Sequence, residues 1–247
     1  MPRIALPEPL EEAEFLERPD RFSLQARVGG ERVRAWLPDP GRLTGLLLPG
    51  GRLYLHHDPR PGRRTAWTAL ALETPGGEVL CLDTRVPNRL AQAALEAGAL
   101  TEFRGWRLLR PEARWGRSRF DFLLGRGSRR LWLEVKGVTH REGRRALFPD
   151  AVSARAARHL RELARLKEGG EGEAAVLFLC QRRGVRSVGP ARALDPDFAR
   201  AWEEAQAAGV RFLARRVRWR RGTMSLGPTL AVEHPGSDNR KGPRTDR

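Results

Sequence analysis

Residues 118–138 constrain this chain more tightly than any other stretch. SRFDFLLG (118–125) is apolar and strand-like apart from Asp121 and its first two residues, GRGS (125–128) makes a tight turn, and RLWLEVKGV (130–138) is a second apolar strand interrupted by Glu134 and Lys136. Positions i and i+2 of a strand point to one face, so Glu134 and Lys136 project together while the hairpin partner carries Asp121 alongside. Two carboxylates and one ammonium converge on one side of a sheet.

That grouping suits phosphodiester hydrolysis. The carboxylates of Asp121 and Glu134, with the peptide carbonyl of Val135, form a ligand set for Mg²⁺, with Mn²⁺ as the alternative ion; such a metal lowers the pKa of a bound water and neutralises charge building on phosphorus. Lys136 is placed to orient or deprotonate the attacking water, or to stabilise the pentavalent oxyanion. Residue usage supports a specific role for it. Of 46 basic residues 43 are Arg, and the three lysines are Lys136, Lys167 and Lys241. A lysine two positions after a glutamate in an apolar strand of such a chain implies that Arg does not substitute there. The plainer alternative is a Glu-Lys pair on an exposed strand face, since Glu-x-Lys by itself occurs often by chance.

Charge extends the case beyond the hairpin. The net charge is +16, and it is uneven, because residues 1–20 hold six acids against two arginines. A field of that sign attracts polyanions, of which nucleic acid, DNA or RNA, is the commonest in a cytoplasm; a solvated basic surface is the alternative. No apolar run is long enough to cross a bilayer, and MPRIALPEPL lacks the charged segment and cleavage site of a signal peptide, so no membrane partner and a cytoplasmic location are expected. Cys81 and Cys180 lie far apart in apolar segments without a CxxC or Cys-His neighbour, which points to buried free thiols rather than zinc.

At 247 residues the chain has room for one large domain or two small ones. Strand-like segments at 21–28, 32–37, 52–57, 65–72 and 78–83 read as a small five-stranded barrel spanning 1–84, of the oligonucleotide-binding (OB) or the SH3-like type. On its surface Arg32, Arg34 and Trp36 share a strand face and Arg42 follows in the loop, an arrangement that stacks a base and neutralises phosphates, unless Trp36 fills the core. Residues 85–232 interleave helices with strands and form an α/β domain. Its long helix, expected over 149–167, has Val152, Ala156, Leu160, Leu163 and Leu166 on one face. Arg155 and His159, one turn apart, flank the site as phosphate or base contacts. The polar segment 233–247 reads as a disordered tail. No small-molecule cofactor is expected, and oligomeric state, a homodimer included, is left open.

The stretches LPDPGRLTGLLLPG (37–50), VPNRLAQAAL (86–95), RPEARWGRSRFDFLL (110–124), LWLEVKGVTH (131–140), LFPDAVSARAARHLREL (147–163) and VGPARALDPDFA (188–199), in this order, resemble the sugar fermentation stimulation protein family over nearly the whole chain. The resemblance implies an α/β (α+β) architecture: an N-terminal five-stranded OB-like barrel followed by a PD-(D/E)xK restriction-endonuclease-like domain with a mixed central sheet. It also implies magnesium-dependent cleavage of DNA or RNA. Asp121 matches the family's metal-binding aspartate, and Glu134 and Lys136 its Glu-x-Lys pair. Glu112, Arg119, Asp150, Arg155 and His159 fall on family-like positions, Glu112 and Asp150 as accessory acids. Two departures are Asp39, where the family usually has Asn, and the helix from 88, which offers Gln92, Ala93 and Glu96 where an acidic residue often sits. The competing reading is a nucleic-acid-binding regulator with a vestigial nuclease site. A sugar-binding role fits poorly with the +16 charge and a single Tyr.

Overall fold

A computed structural model describes residues 2–62, 64–220 and 222–234. In chain order the elements are β1 (Arg3–Ala5), β2 (Glu11–Asp20), β3 (Ser23–Val28), β4 (Glu31–Trp36), β5 (Arg52–His57), β6 (Trp67–Glu73), β7 (Val79–Cys81), α1 (Val86–Glu96), a 3₁₀ turn (Thr101–Phe103), β8 (Arg107–Trp115), β9 (Ser118–Arg126), β10 (Arg129–Val138), β11 (His140–Glu142), β12 (Arg145–Phe148), α2 (Ala154–Glu168), β13 (Glu173–Cys180), β14 (Ser187–Pro190), α3 (Pro196–Ala207), β15 (Arg211–Arg220) and β16 (Thr223–Val232).

Strands β2 to β6 close into a barrel. The order β4-β3-β2-β5-β6 is antiparallel throughout, and a short parallel pairing of β4 with β6, Ala35 opposite Trp67 and Trp36 opposite Thr68, shuts it. This is the OB-type barrel, and its interior is filled by Leu24, Leu37, Leu53, Leu55 and Leu72 among others. Its membership differs from the segments expected. The stretch 78–83 supplies β7, which among the described residues pairs only with Ala71–Glu73 of β6, and the missing barrel strand is β2. EEAEFLERPD hides as a strand because Glu and Asp are disfavoured there and only Ala13 and Phe15 are buried. Its acids are matched by the arginines of the neighbouring strands: Glu14 with Arg27 at 2.6 Å, Asp20 with Arg34 at 2.9 Å, and Glu17 with Arg32.

The second domain is built on a ten-stranded mixed sheet, nine strands in the order β11-β12-β14-β16-β15-β13-β10-β9-β8 and the tenth, β1, beside β16. Its centre is parallel, β10 beside β13 beside β15, and β13 is buried from Ala174 to Cys180, as expected of a parallel strand covered on both faces. Helices α2 and α3 cover one face around Leu160, Leu163, Phe178, Phe198 and Trp202. Helix α1 covers the other face, together with Leu70, Ala71 and Cys81 from the barrel side. Residues 3–5, grouped with the barrel by sequence position, pair instead with β16 of this sheet. At the other end the Glu233 carboxylate accepts from Nε and Nη2 of Arg145, each at 2.7 Å, and its carbonyl accepts from Trp202, so the second domain's contacts run past 232; residues 235–247 of the expected tail lie outside the described residues.

Helix α2 starts later than its apolar spacing implied. Ser153 caps it, its hydroxyl accepting from the Ala156 N–H, so 149–153 is a lead-in segment and Val152 is 65% exposed rather than packed on the sheet. Both cysteines are buried and free.

The domains are stitched together by side chains. Gln181 accepts from the Cys81 N–H at 2.7 Å and donates to the Cys81 carbonyl at 3.2 Å, acting as an extra strand edge for β7. Buried Glu78 meets Arg182 at 2.9 Å and also accepts from the Arg183 N–H. Replacing Gln181 with Leu keeps the volume but strands two buried peptide groups, so it is expected to lower unfolding stability by about 3 kcal/mol, measured by denaturant titration.

Candidate active site

Antiparallel pairing of β9 with β10 runs from Arg126 opposite Arg129 to Phe122 opposite Leu133 and then stops. Phe120 and Phe122, two residues apart, bury in opposite cores, so β9 rolls about its axis at Asp121. The Asp121 carboxylate occupies the place the backbone ladder has left. Its Oδ2 accepts from the Val135 N–H at 2.7 Å, and its Oδ1 accepts from Asn88 Nδ2 of α1 at 2.6 Å.

Glu134 sits beside it, 3% exposed. Both Lys136 Nζ, at 2.5 Å, and His159 Nδ1 from α2, at 2.7 Å, contact the same oxygen, Oε1. The other oxygen, Oε2, is buried with no hydrogen-bond partner. Burial raises the Glu134 carboxyl, but Lys136 and then His159 outweigh it and hold the group below the usual glutamate range. Asp121 goes the other way: burial first, and then the Glu134 charge, push it up to about 7. The two carboxylates are therefore kept apart in protonation by their different partners.

These groups line a cavity of about 420 Å³ between the two domains. Asp150 and exposed Arg155 line it from the α2 side, Asn88 from α1, and Arg21, Asp39 and Asp83 from the barrel side. Asp39 is also raised, to about 6, by burial and then by the nearby Asp150. Among the described residues, no group of three or more His, Cys, Asp or Glu side chains could hold a metal.

The structure thus brings Asp121, Glu134, Val135, Lys136, Asp150 and Arg155 to one cavity. It does not bring the others there. His159, expected to touch phosphate or base, is 2% exposed and packed edge-on against Phe120, so it supports Glu134 from behind and has no path to a ligand in solution. Arg119 and Glu112 are exposed, 3.2 Å from one another, and off the cavity wall. Arg34 and Trp36 line a separate barrel groove of about 830 Å³, where Arg85 lies over the indole, 5.7 Å from the ring centroid. Arg32 and Arg42 line neither space. Asn88 and Gln181 escape sequence reasoning, because their roles depend on where α1 and β13 meet β9 and β7; only the position of Asn88 inside VPNRLAQAAL marks it.

A two-carboxylate, one-lysine site at a broken ladder in a mixed sheet, facing an OB-type barrel across a cleft, defines a restriction-endonuclease-like fold with an N-terminal OB-type module. Family models agree: residues 16–82 match the N-terminal OB domain and residues 85–223 the restriction-endonuclease (RE) domain of the sugar fermentation stimulation protein. The chain belongs to the sugar fermentation stimulation protein family. It is 48% identical over 232 residues to the homolog from Moorella thermoacetica, covering 93% of this chain and 99% of that one. It is 45% identical over 204 residues to that from Shouchella clausii, covering 82% and 88%. The solved structure of the Pyrococcus furiosus member, a complex with Ca²⁺, superposes with a TM-score of 0.84 at 30% identity, covering 93% of this chain and 98% of that one.

Replacing His159 with Ala removes one of the two hydrogen-bond partners of a buried carboxylate and is expected to cost about 3 kcal/mol of unfolding free energy. Exposed Arg158→Ala, one residue away, is expected to stay within about 0.5 kcal/mol, both read by denaturant titration.

Proposed function

We propose that this protein is a metal-dependent nuclease that hydrolyses phosphodiester bonds of DNA or RNA at Asp121, Glu134 and Lys136. The observation that carries the reading is the bare, buried Glu134 Oε2 next to an Asp121 carboxyl that burial and its neighbour hold partly protonated. A buried carboxylate oxygen without a donor is costly, and a divalent cation bound by both side chains relieves the lone oxygen and the mutual repulsion together. Val135 adds to the fit. Its N–H faces Asp121, and within a strand the carbonyl of the same residue points to the same side, where β9 no longer pairs with it. The Ca²⁺ complex of the Pyrococcus relative supports a site for hard, oxygen-seeking cations. Mg²⁺ in this ligand set supplies an activated water and neutralises charge on the phosphoryl group.

The protein's own groups do the rest. Asn88 and the Val135 N–H fix the Asp121 carboxylate, and His159 and Lys136 fix Glu134 through Oε1, leaving Oε2 without a donor. Lys136 lines the cavity with its ammonium 2.5 Å from Glu134, placed to orient the attacking water and to donate to phosphoryl oxygens as their charge grows. Arg155 and Arg21 offer cations to flanking phosphates, and the barrel groove, with Arg34, Arg85 and Trp36, offers a stacking surface for bases. A cytoplasmic protein acting on nucleic acid accords with the +16 charge, and no helix among the described residues is long and apolar enough to cross a membrane.

Asp121→Ala, Glu134→Ala and Lys136→Ala are each expected to reduce Mg²⁺-dependent cleavage of labelled DNA and RNA by at least about a thousandfold while leaving binding largely intact. Lys136→Arg is expected to fail as well, because the guanidinium is larger and does not deprotonate. Wild-type rates in the three alanine variants would end the proposal.

The raised Asp121 carboxyl also sets a pH dependence. Its folded-state pKa, about 7, lies above its ordinary value, so the metal-free fold loses the corresponding stability as pH rises from about 4 through about 7. Metal binding needs the ionised form. Mg²⁺ affinity is therefore expected to be about tenfold weaker at pH 6 than at pH 8, with a proton released on binding, measured by calorimetry in buffers of different ionisation enthalpy.

A further inference from the structure

We infer that the cavity between the domains takes its substrate as a single strand threaded between the barrel and α2, and excludes an intact duplex. The inference rests on the nuclease reading and adds the class of nucleic acid on which it acts.

The cavity is walled on both sides. From the barrel, the loop after β4 is pinned by Arg18, whose guanidinium donates to the carbonyls of Gly41 at 2.7 Å, Arg21 at 2.9 Å, Arg42 at 3.1 Å and Asp39 at 3.3 Å. From the second domain, Asp150 in the lead-in to α2 comes so close to Gly41 that a Cβ there would collide with its carboxylate. The barrel loop and the lead-in segment therefore touch beside Asp121 and Glu134. The clamps of Gln181 on Cys81 and Glu78 on Arg182 hold the domains in this arrangement.

Size gives the same answer. A volume of 420 Å³ falls in the range of about 300–1,000 Å³ that holds one small molecule, so there is room for about one nucleotide. A B-form duplex, whose major groove alone is about 12 Å wide, cannot bring a phosphate to Glu134 without parting the walls.

The apolar side chains near the two cavities point to unpaired bases. Val152 at the active-site cavity is 65% exposed, and Phe22 in the barrel groove is 53% exposed with Arg21 over its ring. Such side chains stack or pack on base faces, which a duplex keeps inside its own stack. Arg21 lines both cavities, so a strand lying in the groove leads into the site past one shared cation.

The test uses the full-length protein with Mg²⁺ and end-labelled oligomers of one sequence: single-stranded, blunt duplex, and duplex with a single-stranded overhang. Local unpairing must precede cleavage inside a duplex, so the single strand is expected to be cut about a hundredfold faster than the duplex interior, with cuts in the third substrate confined to the overhang. Arg18→Ala, which frees the barrel loop without touching Asp121, Glu134 or Lys136, is expected to narrow that ratio by speeding duplex cleavage while the single-strand rate holds. Equal wild-type cleavage of duplex and single strand would overturn the inference and leave the nuclease reading standing. If neither is cut, the nuclease reading falls, and fluorescence anisotropy on the same oligomers still decides: tighter single-strand binding, lost in a Phe22→Ala, Val152→Ser double variant, upholds the threading, and equal or tighter duplex binding overturns it.

Discussion

The loss of backbone pairing between β9 and β10 after Phe122 and Leu133 organises everything around the site. A peptide N–H at a strand position needs an acceptor, and Val135 finds one in the Asp121 side chain rather than in a neighbouring carbonyl. That substitution of side chain for backbone draws one carboxylate into the sheet, where it faces a second, Glu134, that the regular alternation of β10 delivers. Lys136 and His159 then hold the second acid through one oxygen only. The asymmetry between the two neighbouring acids, one held low and one held up near 7, follows from which of them owns the Lys136 and His159 contacts.

The barrel contributes more than a surface. Its strand β7 lies outside the closed barrel and serves as the seam to the second domain, with Cys81 held on both its peptide groups by Gln181. Leu70, Ala71 and Cys81 enter the same core as α1, so the two modules share apolar packing as well as hydrogen bonds. The acidic strand β2 balances arginines of β3 and β4, which confines the uncompensated positive field to other parts of the molecule.

Much of this was legible in the residues. The Asp121, Glu134 and Lys136 convergence follows from the period of two in adjacent strands, and four of the five barrel strands, β3 to β6, follow from turn-punctuated alternation. What was not legible depends on contacts between segments far apart in sequence. His159 was expected to meet phosphate or base beside Arg155, but it shares with Ala156 and Leu163, three residues before and four after it, the face of α2 that packs on the sheet, and there its imidazole meets Glu134. Asn88 is one polar residue on a helix until α1 docks against β9. Strand β2 was masked by its own glutamates, whose partners are supplied by tertiary pairing. Arg32 and Arg34 do share a strand face, yet their neighbours on β2 are acids that strand alternation within β4 cannot reveal.

The pairing of β1 with β16 places Arg3 opposite Ser225, so the second domain takes a strand from each side of the barrel in sequence. Topologically the barrel is an insertion, with its exit and return both anchored in one sheet. During synthesis the barrel strands, all complete by residue 73, emerge together and close through mostly local contacts, while β1 has no partner until more than 200 further residues have been made. The module with the deeper core is thus the one that finishes last, and its assembly sets the seam against a barrel already formed.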